Sequence, residues 1–383
     1  SVNRWASNRA TVTRMRTEDL NYDLPEAAIA QTPVTPRDSA KLLVDLGTEA
    51  PPQDAVVADL ADFLLPSDLL ILNETRVLPA RVAVLRSGGG AGEVLLLEPL
   101  EDEDEGWWEA LCRPSRKMRA GEQVTAALGS LKFEIGEDLG QGRRKVRPIH
   151  QGNLLRELER SGEAPLPPYI HERLSDQERY QTVFSHRPAS AAAPTAGLHV
   201  TPELLGKITE KGVQIKTVEL VVGLDTFRPV TAENLEDHQI HSEWYQVPAE
   251  TWDEVKTAQA AGRRVVAVGT TTVRALESAA ASSELQGRTR LFITPGFRFE
   301  VVDVLMTNFH LPRSSLLAMI QAFIGPRWRD LYSTALQRDY RFLSFGDAML
   351  LQRGPLLQRG PLLQRGSLLQ RSQGLEGDHE AQA

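Results

Sequence analysis

The stretch RRVVAVGTTTVRALES (263–278) decides the fold. Val265 to Val268 form a short apolar run, Gly269 interrupts it, and three threonines lead into residues with helical spacing. A buried strand that passes through small hydroxyl side chains straight into a helix is a repeating unit of an α/β sheet. The same grammar recurs in EVVDVLMTNFHLPRSSLLAMIQAFIG (300–325). With a short loop in place of the strand, it recurs again in AAAPTAGLHVTPELL (191–205). Ligands of open α/β sheets bind at the strand carboxyl ends, where helix N-terminal N–H groups converge. Thr270, Thr271, Thr272, Asn308, His310 and His199 are therefore expected to line one site.

Outward from these units, residues 15–75 and 151–351 read as one discontinuous α/β domain. Ser175-Asp176-Gln177-Glu178 has the form of a capping box opening a helix through Phe184. Thr201 caps the next helix, with Pro202 at its first position and Gly212 closing it. A strand (213–222), a helix (about 250–261), a strand (264–268), a helix (273–283) and a strand (300–306) then alternate. The final helix opens at Ser314 or Ser315. This alternation predicts a mixed, largely parallel sheet covered by helices.

Residues 76–150 follow a different grammar. Short alternating runs such as RVAVL and EVLLLEPL, the turn Gly88-Gly89-Gly90 and the lack of helical periodicity predict an inserted β-rich, barrel-like module. It carries two basic clusters, Arg113, Arg116, Lys117 with Arg119, and Arg143, Arg144, Lys145 with Arg147. Such clusters can grip a phosphate backbone. The plainer reading is a solvated face balanced by the acidic run Glu101 to Glu105.

The whole chain of 383 residues carries 43 Lys and Arg against 51 Asp and Glu, a net charge of -8, so any nucleic-acid contact must be local. No apolar run is long enough for a bilayer span, and Cys112, the single cysteine, excludes an internal disulfide; both point to a cytoplasmic protein without membrane contact. Residues 1–14 read as an extension upstream of a natural start at Met15. The LLQRG repeat places Gly and Pro too often for a helix, so 352–383 reads as a disordered tail.

The standard motifs are missing. Gly88 to Gly92 lacks the preceding strand and third glycine of a dinucleotide fingerprint, and neither a Walker sequence nor a G-x-S-x-G elbow occurs. Dehydrogenase, nucleotidase and esterase classes are disfavoured. So is a conventional methyltransferase, since no Gly-rich first loop appears. His238, His241 and Glu243 have a spacing a metal could use, but no third histidine-like ligand follows, and no metal is expected.

Ten longer strings carry a more specific signal. YDLPEAAIAQTPVTPRDSAKLLV (22–44), DLLILNETRVLPARV (68–82), GEAPLPPYI (162–170), ERYQTVF (178–184), APTAGLH (193–199), TFRPV (226–230), HSEWYQVP (241–248), VAVGTTTVRALES (266–278), TNFHLPRSSLL (307–317) and YRFLSFGDAML (340–350) occur in this order. Together they resemble the S-adenosylmethionine:tRNA ribosyltransferase-isomerases of queuosine synthesis. The resemblance implies transfer and isomerisation of the ribosyl portion of S-adenosylmethionine, a co-substrate, onto 7-aminomethyl-7-deazaguanine in tRNA. That base occupies the wobble position of a GUN-type anticodon, and epoxyqueuosine-tRNA, adenine and methionine result. It implies no prosthetic group, and a monomer is expected. The alternative is a catalytically silent tRNA- or S-adenosylmethionine-binding paralogue.

Such chemistry needs a base, an acid for departing adenine, and alignment. His199 and His310 sit in loops opening helices, where imidazoles titrate near neutral pH, and are the expected proton-transfer groups. Glu74 is the alternative base. Arg76 beside it can orient a carboxylate or phosphate, or serve as an ordinary ion-pair partner. Thr270 to Thr272, and Ser314 with Ser315, are expected to cap helices and offer N–H groups to an anion. Gly197 and Gly223 suit close backbone approach. Arg274, His241 and Glu243 complete the expected substrate-binding set. The chain departs from the family pattern at Glu74, where Asp is usual, and at Val200, where Phe is usual. It departs again over Val221 to Phe227, where a loop histidine is replaced by Val221 and a glycine by Asp225.

Overall fold

The structure, a computed structural model, describes residues 15–47, 50–100, 106–223 and 229–354. Its larger part is built on a nine-stranded mixed sheet. The strand order is Gln286–Thr289, Glu243–Gln246, Gln214–Leu220, Leu69–Asn73, Val265–Val268, Val304–Asn308, Ala348–Gln352, Lys41–Asp45 and Gln53–Val56. The strands from Gln214–Leu220 through Val304–Asn308 run parallel, while antiparallel pairings extend both flanks. Leu69–Asn73, Val265–Val268 and Val304–Asn308 are buried at every residue, because helices cover both sheet faces. The period of two then sorts side chains between two cores. Leu69, Ile71, Val265, Ala267 and Leu305 pack under the helices Ala249–Ala260, Thr270–Ser282, Ser315–Ile324 and Trp328–Gln337. Leu70, Leu72, Val266, Val268 and Met306 face Leu60–Phe63 and Pro202–Glu210 instead.

Several local expectations change. The segment after Ser175 makes a single 3-10 turn, Gln177–Tyr180, capped by Asp176, whose carboxylate accepts the Glu178 N–H at 3.0 Å. The helix expected at 273 begins at Thr270, with Gly269 as its N-cap and no side-chain cap. Thr270 to Thr272 are therefore first-turn residues. Thr201 and Ser314 do cap, accepting the N–H groups of Leu204 at 3.1 Å and Leu317 at 3.2 Å. The helix Ser315–Ile324 is not the last: Trp328–Gln337 follows, and the strand Ala348–Gln352 inserts between Val304–Asn308 and Lys41–Asp45. Order thus runs past 352, where Arg353 donates to Phe299 O at 2.7 Å and pairs with Asp303. Residues 1–14, 101–105, most of the 221–227 loop including Asp225, and 355–383 lie outside the described residues.

The inserted module is a closed antiparallel barrel. Arg81–Leu85, Ala91–Pro99, Trp108–Arg113, Arg143–Ile149, Lys132–Gly140 and Gln123–Ala126 pair in turn, and Val84 against Ala126 closes the ring. Val82 and Val84 point inward while Arg81, Ala83 and Leu85 point out, so alternation alone defines the interior. Leu158, from the helix Leu154–Ser161, plugs the barrel core. Cys112 is buried there, and loss of hydration pushes its thiol up to about 12. Among the described residues no helix is long and apolar enough to cross a membrane.

Candidate active site

The parallel strands end at Leu220, Asn73, Val268 and Asn308, and a narrow cleft opens beyond Val268 and Asn308. Gly269, at φ 91°, turns the chain from strand into helix, a conformation that a Cβ would strain. The turn presents Thr270 and Thr271 to the cleft. Thr272 instead bonds back to Val268 O at 2.6 Å and is fully buried. Asn73, at the end of its strand, donates to Thr271 Oγ1 at 3.0 Å and to Leu220 O at 3.1 Å, tying three strand ends together. Asn308, His310 and Ser314 line the opposite wall, so these members of the expected set do converge.

The two histidines behave differently from expectation. His310 lines the cleft, with Nε2 3.1 Å from Thr307 Oγ1 and its backbone N–H donating to Tyr332 Oη at 3.0 Å. His199 does not line it; its Nε2 lies 3.2 Å from Asn308 Nδ2, one layer behind. Both rings are buried, and desolvation of the charged form lowers His199 to about 4 and His310 to about 3. Titration near neutral pH is therefore overturned, because the loops that hold these rings are packed rather than open. Each imidazole is neutral in the folded protein. Tyr169 shares the cleft, its hydroxyl 2.7 Å from Ser344 Oγ, and burial keeps its phenol protonated.

Glu74 does not line this cleft; its carbonyl accepts from His186 N at 2.9 Å. Arg76 pairs with Glu178 at 2.5 Å and reaches Ser185 Oγ at 3.2 Å, the ordinary ion-pair alternative. A Cβ at Gly197 would meet Phe184 Cζ at 2.9 Å, so that glycine serves packing. At Gly223 a Cβ finds room, and the residue contributes its N–H, which donates to Glu243 Oε1 at 2.9 Å. Glu243 also pairs with Arg274, and both side chains are buried. His241 and Glu243 line both clefts beside this pair, and His238 lines one of them while packing edge-on against Phe292.

A second cleft lies between the barrel and the sheet edge and shares Val222 with the first. Arg143, Arg187, Arg288 and Arg290 line it. Arg187 stacks over Trp244 at 5.0 Å, and Arg288 pairs with Glu98 at 2.7 Å. Of the expected RNA-binding residues, Arg143, Arg144 and Lys145 are engaged by Glu109, Asp138 and Glu137, and Arg144 is buried. Cross-strand pairing on the barrel wall spends much of that cluster's charge. Arg113, at the end of the strand Trp108–Arg113, and Arg116 and Lys117, on the turn that follows, are exposed. Asn73, Tyr169, Ser344, Arg187, Arg288 and Arg290 escaped sequence reading. Asn73, the polar end of an all-apolar strand in DLLILN, did carry a usable signal.

The family model for queuosine biosynthesis protein matches residues 17–351. The chain is 48% identical over 341 residues to an S-adenosylmethionine:tRNA ribosyltransferase-isomerase of Rubrobacter xylanophilus, spanning 89% of this chain and 98% of the relative. It is 44% identical over 343 residues to one of Staphylococcus epidermidis, spanning 88% and 100%. The crystal structure of S-adenosylmethionine tRNA ribosyltransferase from Thermotoga maritima superposes with a TM-score of 0.51 at 36% identity, covering 87% of this chain and 99% of that one.

Proposed function

This chain belongs to the queuosine biosynthesis protein family, and on that premise we propose that it is an S-adenosylmethionine:tRNA ribosyltransferase-isomerase acting on 7-aminomethyl-7-deazaguanine at the tRNA wobble position. The sugar C4′–O bond, the glycosidic bond to adenine and the sulfonium C5′–S bond break, releasing adenine and methionine. In their place the aminomethyl nitrogen bonds to the opened sugar carbon, a carbon–carbon bond closes the five-membered carbocycle, and the former ring oxygen closes the epoxide on C5′, while the proton lost from nitrogen balances the one taken up by adenine. The sulfonium acidifies the neighbouring C5′ protons, which lets a positioned base begin ring opening. The product is epoxyqueuosine-tRNA.

The observation that carries this reading is the junction at Val222 between the strand-end cleft and the arginine-lined cleft. We assign the small co-substrate to the first, whose walls carry Thr270, Thr271, Asn308 and His310. A polyanion fits the second, with the modified base reaching inward. His310 is assigned as the proton acceptor because it is the one of the two imidazoles that lines the cleft. Tyr169, which lines the same cleft and keeps its proton, is assigned as the donor toward departing adenine. His199 acts through Asn308 as a positioning residue.

The test is incubation with S-adenosylmethionine and deazaguanine-modified tRNA, following free adenine by chromatography. Adenine release with ribosylated tRNA is expected. Binding of both substrates without release would favour the silent paralogue, a reading kept alive by Val221 in place of the family's loop histidine.

A further inference from the structure

A third cleft adjoins the first at Leu316 and the second at Gly223, His241 and Glu243. Arg274 lines it. Its side chain is 6% exposed, and its donors are unevenly used. Nη1 holds Glu243 and Nε donates to Leu291 O at 3.2 Å, but Nη2 has no partner. A buried guanidinium donor left unmade is costly, and such a group in a cleft wall asks for an anionic acceptor. Glu243 does not supply it: its Oε1 takes the Gly223 N–H and its Oε2 the Nη1.

Helix geometry gives that acceptor a chemical identity. Thr270 faces the strand-end cleft, and Arg274, one turn along the same helix, faces the adjoining one. Four residues of helix advance about 6 Å. In S-adenosylmethionine three carbons separate the sulfonium from the α-carboxylate, a span of the same order. Resting on the function proposed above, we infer that Arg274 Nη2 anchors the α-carboxylate of the co-substrate, with the ribosyl and adenine parts in the strand-end cleft. A charge-assisted hydrogen bond in a poorly hydrated wall is strong, and its fork geometry favours carboxylates.

The inference is tested by calorimetric titration of the full chain with S-adenosylmethionine and with its decarboxylated analogue. The unaltered protein is expected to bind the decarboxylated compound about tenfold or more weakly. Arg274→Gln should erase that preference, while Glu243→Gln, which keeps an acceptor for Nη1, should retain it; thermal melts check that each variant is folded. Equal affinities in the unaltered protein, or an undiminished preference in Arg274→Gln, would overturn the assignment of Arg274 alone. Failure of the unaltered protein to bind S-adenosylmethionine at all would overturn the proposed function as well. Should Arg274→Gln not fold, the two ligands on the unaltered protein still decide.

Discussion

Asn308 stands between the cleft and His199, its Nδ2 3.2 Å from His199 Nε2 while its Oδ1 accepts from Thr195 Oγ1 at 2.9 Å. The amide therefore has both ends committed, and the histidine behind it cannot touch a ligand without moving Asn308. Position at the cleft wall, not residue type, separates His199 from His310.

That separation predicts unequal variants. His310→Gln removes the neutral imidazole from the cleft and should slow single-turnover adenine release by about a hundredfold. His199→Gln preserves a hydrogen-bonding end toward Asn308 and should slow it by less than about tenfold, with its main cost in stability. Equal large losses in both would remove the distinction. Full activity in both would remove the histidines from the proton chemistry.

A pH dependence of stability follows from the same two rings. In the unfolded chain each takes a proton near pH 6.5, whereas the folded protein resists until about 4 for His199 and about 3 for His310. The unfolded state therefore binds more protons across this window, and stability falls as pH drops from 6.5 toward 4. At pH 5 each ring should account for about 2 kcal/mol of that fall. Urea unfolding at pH 7.5 and pH 5 should show a smaller loss for His310→Gln than for the unaltered protein. An identical loss would mean the ring is more hydrated than its packing indicates.

The RNA contact is expected on the cleft between barrel and sheet. Replacing Arg187, Arg288 and Arg290 with Ala should weaken tRNA binding and lower its salt slope by about 0.7 for each phosphate left without its arginine. Replacing Arg143, Arg144 and Lys145 should change the slope less, since Arg144 is buried and only Arg143 of the three lines that cleft. A filter-binding titration at several salt concentrations decides. A larger slope change from the second triple would return the interface to the barrel wall.

At the carboxyl end, truncation should be sensitive to a few residues. Ending the chain after Gly354 keeps the Gln352 pairing to Val304 and the Arg353 bonds to Phe299 and Asp303. Its melting temperature should match the full chain. Ending after Leu351 removes both and should cost about 1–3 kcal/mol. Coincident melts for all three forms would show these bonds to be dispensable.

What the chain determines locally was legible without a structure. Val265 to Val268 followed by small residues and a periodic helix announces a strand whose end is a site, and the alternation of RVAVL announces a barrel wall, because both signals are periodicities of neighbouring residues. Caps at Thr201 and Ser314 were equally readable, since a cap is a bond to a residue three positions on. Tertiary structure alone decided the rest. It inserted Ala348–Gln352 between two sheet strands and brought Tyr169 onto Ser344 across 175 residues of chain. It also buried two histidines that loop position had suggested were free, and paired Arg143 with Glu109 and Arg187 with Glu219 along the walls of one cleft. Burial and charge pairing depend on which distant segments pack together, and that information is carried by no single stretch of residues.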